Sequence, residues 1–133
     1  MKIVNDFPPN FEDICQAIPD VRSKEDVVFT YGDTIYNPYG GDIQDHLDVH
    51  ESIHEQQQGK IGIDNWWARY LNDKAFRLEQ EVEAYKTQYQ FVFKKYGRAV
   101  ATGFLRDIAG DLSGSMYGNV MDRKQARKAI IKK

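Results

Sequence analysis

His50-Glu51-Ser52-Ile53-His54 decides how the rest of the chain is read. Two residues four apart on a helix share one face, with side chains about 6 Å apart. Two imidazoles at that spacing can bind a single metal ion, and neutral imidazole is a common metal ligand. Glu51 follows the first histidine and points off that line. It can reach a water on the metal without itself binding the metal. The flanking residues predict a helix from about Ile43 to Gln57, with Asp42 as its cap and Gly59 as its stop. At about 100° per residue, Ile43, Leu47, His50 and His54 fall within about 60° of one another. Both histidines therefore lie on an inward-facing stripe.

A catalytic zinc site usually has three protein ligands and an open position. No third histidine follows the motif, so a carboxylate from another helix is the candidate. Residues Asp73 to Tyr96 read as one long helix stopped by Gly97. Its apolar stripe is Leu78, Val82, Tyr85, Tyr89, Val92 and Tyr96, spaced by three and four. Glu81 lies about 60° from the centre of that stripe, whereas Glu79 and Glu83 lie about 100° and 140° away. Glu81 alone borders the buried face, where a metal neutralises its charge. Glu83 reads as a solvated residue able to pair with Lys86. His46 extends the histidine ladder. Pairing it with His50 would put Leu47 in the base position, so His46 reads as a residue at the rim or behind the ligands, and more simply as a satisfied histidine with no role in the site.

The remaining segments supply a small β element and more helix. Pro8-Pro9 holds an extended start, and Asn10 can cap a helix from Phe11 to Ile18. Val27 to Tyr31 and Thr34 to Asn37 read as two short strands joined at Gly32-Asp33. A short helix over Asp64 to Leu71 carries Trp66, Trp67 and Tyr70 as core anchors. Arg98 to Ile108 is helical, Gly110 to Asn119 is a Gly/Ser-rich loop, and Asp122 caps a last helix. The cations Arg123, Lys124, Arg127, Lys128, Lys132 and Lys133 read as its solvated face.

Composition narrows the class. With 133 residues, the chain suits one compact domain with one core. A net charge of −2 gives no general attraction to nucleic acid or anionic membrane. The single Cys15 rules out an internal disulfide and a cysteine-based zinc site. No apolar run approaches the length of a membrane span or a signal peptide. These features give the expectation of a cytoplasmic protein without a membrane partner.

His50-Glu51-x-x-His54 followed by a helix bearing Glu81-x-x-Ala84 resembles the gluzincin metallopeptidases. In that family the first helix supplies two histidine ligands and the base, and a later helix supplies a glutamate ligand, often as E-x-x-A-D. Tyr85 stands here where that Asp would be. The chain is also similar to small proteins encoded by tailed phages and prophages. The shared residues include Gln57-Gln58, Trp66-Trp67-x-x-Tyr70-Leu71, Phe76-Arg77, Val82 to Tyr85, and Asp111-Leu112-Ser113-x-x-x-Tyr117-Gly118-Asn119.

The expectation is an α+β, mostly α, minimal zincin-like domain with a small hairpin before the metal helix. His50, His54 and Glu81 would hold Zn²⁺. Glu51 would act as general base toward a peptide or protein substrate. Tyr117, in a loop with Gly118 beside it, is the candidate donor to the developing oxyanion. Tyr85 and Tyr36 stand next in line. Thr34 to Asn37 can accept an extended peptide by strand addition where it is an exposed edge. The rival class is a non-catalytic zinc-binding structural or interaction protein of phage or prophage type. A structural site normally fills all four positions with protein ligands, and no fourth ligand is evident in the sequence.

Overall fold

The computed structural model describes residues 1–132, so Lys133 of the basic tail lies outside it. The architecture is α+β and mostly α. Strand β1 (Lys2–Val4) is followed by helix α1 (Phe11–Ala17), and a 3-10 turn covers Pro19–Ser23. Strands β2 (Phe29–Tyr31) and β3 (Thr34–Tyr36) form the hairpin. Five helices complete the described chain: α2 (Asp45–Ile61), α3 (Ile63–Asn72), α4 (Lys74–Tyr96), α5 (Arg98–Leu112) and α6 (Arg123–Ile131).

The hairpin forms where β-branched and aromatic residues flank Gly32-Asp33. Gly32 has φ +63°, the conformation a tight two-residue turn needs at its first position. The sheet order is β1-β3-β2, with β1 parallel and β2 antiparallel to β3. This overturns the expectation that Thr34 to Asn37 offers an edge to a peptide. Lys2–Val4 occupies that edge, and β3 is the central strand. On the outer side of β2, the Thr30 carbonyl already accepts from Gln58 Nε2 at 2.8 Å and Trp67 Nε1 at 3.2 Å.

Helix boundaries shift where a glycine proved tolerable. Gly59 does not stop α2, which runs two residues further and ends at Gly62 with φ +93°. Asp42 is not its cap, since Gln44 holds that position. Asn10 precedes α1 but makes no capping bond. Helix α5 continues through Gly110 to Leu112, and a 3-10 turn over Ser115–Tyr117 replaces most of the expected loop. Asp73 caps α4 by accepting from Phe76 N at 3.1 Å. Asp122 and Gln125 form a reciprocal capping box on α6.

Two apolar cores meet along α4. One joins Ile14, Cys15, Ile18, Val21, Phe29, Trp66, Trp67, Tyr70 and Phe76. The other joins Leu78, Leu105, Ile108, Ala109, Leu112, Tyr117, Ala126 and Ile130. Arg77 is buried between them. It donates to the carbonyls of Tyr70 at 2.8 Å, Leu71 at 3.1 Å and Met116 at 2.9 Å. A cation there satisfies carbonyls left free at the end of α3. No described helix is long and apolar enough to cross a membrane.

Candidate metal centre

Helix α2 packs across α4, and the crossing brings the predicted residues together. His50 Nε2 lies 3.0 Å from Glu81 Oε1, His54 Nε2 lies 2.9 Å from the same oxygen, and the two Nε2 atoms are 3.2 Å apart. All three residues are 5% exposed. A tetrahedral zinc with bonds of about 2.0–2.2 Å holds its ligand atoms about 3.3–3.6 Å apart, a few tenths of an ångström wider than this triangle. The triangle is therefore near that of three ligands of one ion, with the fourth position left over. His50, Glu51 and His54 also form a buried group whose ligand atoms lie within 4.8 Å of one another, able to hold a metal ion. Glu51 is the carboxylate of that group, and its Oε2 is 3.6 Å from His50 Nε2, further than Glu81. Glu81 is closer to both imidazoles, which favours Glu81 as the ligand.

Glu81 sits nearer the centre of the buried face than the apolar stripe implied. The buried residues of α4 include Leu78, Glu81, Ala84, Gln88 and Val92. Val82, Tyr85 and Tyr89 are half-buried, and Tyr96 is exposed. Counting only apolar positions rotated the stripe, because two of the most buried residues, Glu81 and Gln88, are polar. Glu79 and Glu83 are exposed, as the phase predicts. Glu83 accepts from Gln57 Nε2 at 2.8 Å rather than pairing with Lys86.

The ligands are tied from behind. Tyr70 donates to Glu81 Oε2 at 2.5 Å, leaving Oε1 for the imidazoles. His50 Nδ1 faces Gln88 Oε1 at 2.8 Å, and His54 Nδ1 faces Gln57 Oε1 at 2.8 Å. His46 stands one step further out, its Nδ1 2.8 Å from Gln88 Nε2. Glu51 Oε1 accepts from Thr30 Oγ1 at 3.1 Å, so β2 fixes its carboxylate. Thr30, Tyr70 and Gln88 carry no sequence signal that marks them for these roles. Gln57 figures in the sequence only as part of a resemblance. Its usable signal is position: it lies one turn after His54, on that ligand's own helix face.

Electrostatics follow from burial and crowding. Burial alone would keep His54 neutral, but the Glu81 carboxylate and its hydrogen bond push the imidazole up to about 9. Burial opposes ionisation of Glu81 too, yet the His54 charge and both imidazole hydrogen bonds hold it well below the usual carboxylate range. For Glu51 burial wins over the nearby imidazoles, and its carboxyl is raised. One proton on His54 cannot link all three converging atoms, whereas a divalent cation can.

The cluster lines a cavity of 620 Å³ shared with Thr30, Trp66, Tyr85 and Tyr117. Tyr117 is buried, and its hydroxyl is 3.5 Å from that of Tyr85. The Tyr85 ring lies edge-on to His50 with centroids 4.4 Å apart. Tyr117 is thus one hydroxyl removed from the histidines, and Tyr85 is nearer. Tyr36 does not line the cavity. Trp66 and Trp67 pack in the first core, as expected of anchors.

No protein-family model, curated protein or solved structure matches the chain.

Proposed function

We propose that this chain is a zinc-dependent peptide hydrolase. The observation that carries the reading is the triangle of His50 Nε2, His54 Nε2 and Glu81 Oε1, closed to within 3.2 Å in a buried cleft. Two nitrogens and one oxygen suit zinc, and three protein ligands leave a position for chemistry. When bound, zinc acidifies a water and polarises a substrate carbonyl.

The chain's own residues do the rest. Glu51 Oε2 is the carboxylate oxygen not held by Thr30. It takes the proton of the attacking water and returns it to the leaving amine. Burial and the Thr30 contact keep its carboxylate in place for both transfers. Glu81 stays ionised beside it, so two carboxylates in one site take separate roles. The Tyr85 and Tyr117 hydroxyls keep their protons, since burial raises both. Tyr85, whose ring lies against His50, is assigned as donor toward the oxygen that gains charge, and the core-packed Tyr117 stands behind it, hydroxyl to hydroxyl. A 620 Å³ cavity falls within the size range of small-ligand clefts. It can take side chains flanking a scissile bond.

Burial of all four central residues also fits a non-catalytic zinc site, and one variant separates the two readings. Glu51→Gln keeps zinc and loses hydrolysis if Glu51 is the base. Peptide-cleavage screening of wild type and variant, each loaded with one zinc, is the test. No activity in either removes the enzymatic reading, and equal activity in both removes Glu51 as the base.

A further inference from the structure

We propose that Gln57 and Gln88 are positioning residues that hold both metal-facing imidazoles in one tautomer, and that His46 extends this lock to the surface. The proposal rests on the metal-binding reading above. It concerns which ring nitrogen of each histidine is free to bind.

The Gln57 amide nitrogen lies 3.0 Å from the Gln80 carbonyl and 2.8 Å from Glu83 Oε1. Both partners are acceptors with no proton to give. The NH₂ group must therefore face them, and Gln57 Oε1 must face His54. That oxygen can only accept, so its 2.8 Å contact requires a proton on His54 Nδ1. With Nδ1 protonated, the neutral ring presents its lone pair at Nε2, toward Glu81. Glu83, which sequence phase placed on the solvated side, thereby orients a metal ligand through one glutamine.

On the other histidine the chain of inference is longer. His46 Nε2 lies 2.6 Å from the exposed Gln44 Oε1 and donates to it. His46 Nδ1 is then an acceptor, and the Gln88 amide nitrogen donates to it at 2.8 Å. Gln88 Oε1 is left facing His50 Nδ1, which must carry the proton. The relay Gln44–His46–Gln88–His50 thus reaches the same end as Gln57: Nδ1–H outward and a free Nε2 inward. Outer hydrogen bonds of this kind orient metal-binding imidazoles, and their loss typically weakens metal affinity about 10–100-fold. Here both acceptors are neutral amides.

Gln58 is the internal control. It is fully buried next to Gln57, yet it donates to the Thr30 carbonyl and accepts from Gly32 N at 2.7 Å. It ties α2 to the hairpin and touches neither imidazole.

The test uses the full chain, with zinc affinity read by chelator competition and ring tautomers by long-range proton–nitrogen correlation on the zinc-loaded form. Wild type should show Nδ1–H on both His50 and His54. Gln57→Leu and Gln88→Leu should each weaken zinc about 10–100-fold with helix content retained. Gln88→Glu should keep the affinity, because a carboxylate still accepts from His50 Nδ1–H, and the exposed Gln44 amide can turn over so that His46 donates from Nδ1 to the second oxygen. Gln57→Glu should not, because its oxygen would face the Gln80 carbonyl and the Glu83 carboxylate. Gln58→Leu should lower the thermal midpoint and leave the affinity of the folded chain unchanged. Nε2–H tautomers, wild-type affinity in both Leu variants, or equal losses in Gln88→Glu and Gln88→Leu would overturn the proposal. Where a Leu variant fails to fold, the wild-type tautomers and the Glu variants decide it. A wild-type chain that binds no zinc removes the site and the proposal together.

Discussion

Helices α2 and α5 both pack against α4, yet they bury opposite chemistry. The buried residues of α5 are Ala101, Leu105, Ile108, Ala109 and Leu112. Those of α2 are His50, Glu51, His54, Gln57 and Gln58, all polar. Apolar burial stabilises by roughly 25 cal/mol per Å². Burying polar groups costs free energy unless each finds a partner. On α2 each does: Glu51 has Thr30, His50 and His54 have Gln88, Gln57 and Glu81, and Gln58 has the hairpin backbone. A face assembled from partnered polar groups adds little net stability. Such a face fits a binding role better than a stabilising one. α5 buries apolar surface against α4, and α2 buries the polar cluster proposed as the metal centre.

This contrast breaks if the two faces respond alike to substitution. The largest expected effect is loss of the metal. Glu81→Ala should take zinc from about one per chain to none by elemental analysis. Glu79→Ala should leave it, and Glu83→Ala, which removes only an acceptor from Gln57, should weaken it far less. Next is Glu51→Gln, with zinc retained and turnover reduced about 10²–10⁴-fold. Loss of metal in that variant would make Glu51 a ligand. On the other face, Leu112→Ala should cost about 2–5 kcal/mol in denaturant unfolding without changing the zinc affinity of the folded chain.

Two smaller effects sharpen the comparison. His54 holds its proton up to about 9 in the metal-free chain. Zinc competes with that proton for Nε2, so affinity should fall about tenfold per pH unit as pH drops below that value. Calorimetry in buffers of different ionisation enthalpy should show about one proton released per zinc near neutral pH. The smallest effect lies at the solvent end of the same α2–α4 contact. There Asp45 meets Lys95 and accepts from the Tyr96 hydroxyl at 2.6 Å. These bonds, Lys95 foremost, lower its carboxyl from 3.8 to about 2. Its stabilising contribution is therefore present above the ordinary value and lost as pH falls toward about 2. The midpoint difference between wild type and Asp45→Asn should close over that window and shrink in high salt, as for an exposed ion pair.

How legible each region was follows from the same contrast. Periodicity found α4 because apolar residues mark part of its buried face, and spacing found α2 because two imidazoles repeat one turn apart. Helical phase chose Glu81 over Glu79 and Glu83. Apolar counting could not see that Glu81 and Gln88 lie on the core side, since both score as surface residues. Tyr70 read as a packing anchor, and its hydroxyl contact with Glu81 depends on how α3 meets α4. Strand β1 was invisible for a related reason. Three residues carry no usable period, and their partner lies some 30 positions away, so only tertiary pairing makes them a strand. Gly59 and Gly110 misled in the other direction. A helix interior tolerates a glycine at a cost of about 1 kcal/mol relative to alanine.

X-ray absorption at the zinc edge of the loaded, untagged chain tests the central claim most directly. Two imidazole nitrogens and one carboxylate oxygen are expected at about 2.0–2.2 Å, with one further light-atom position and no sulfur. Cys15 packs in the first core and is not part of the metal cluster. A sulfur shell, a purely water-like octahedral shell, or failure to bind zinc would contradict the assignment of His50, His54 and Glu81 as the metal centre.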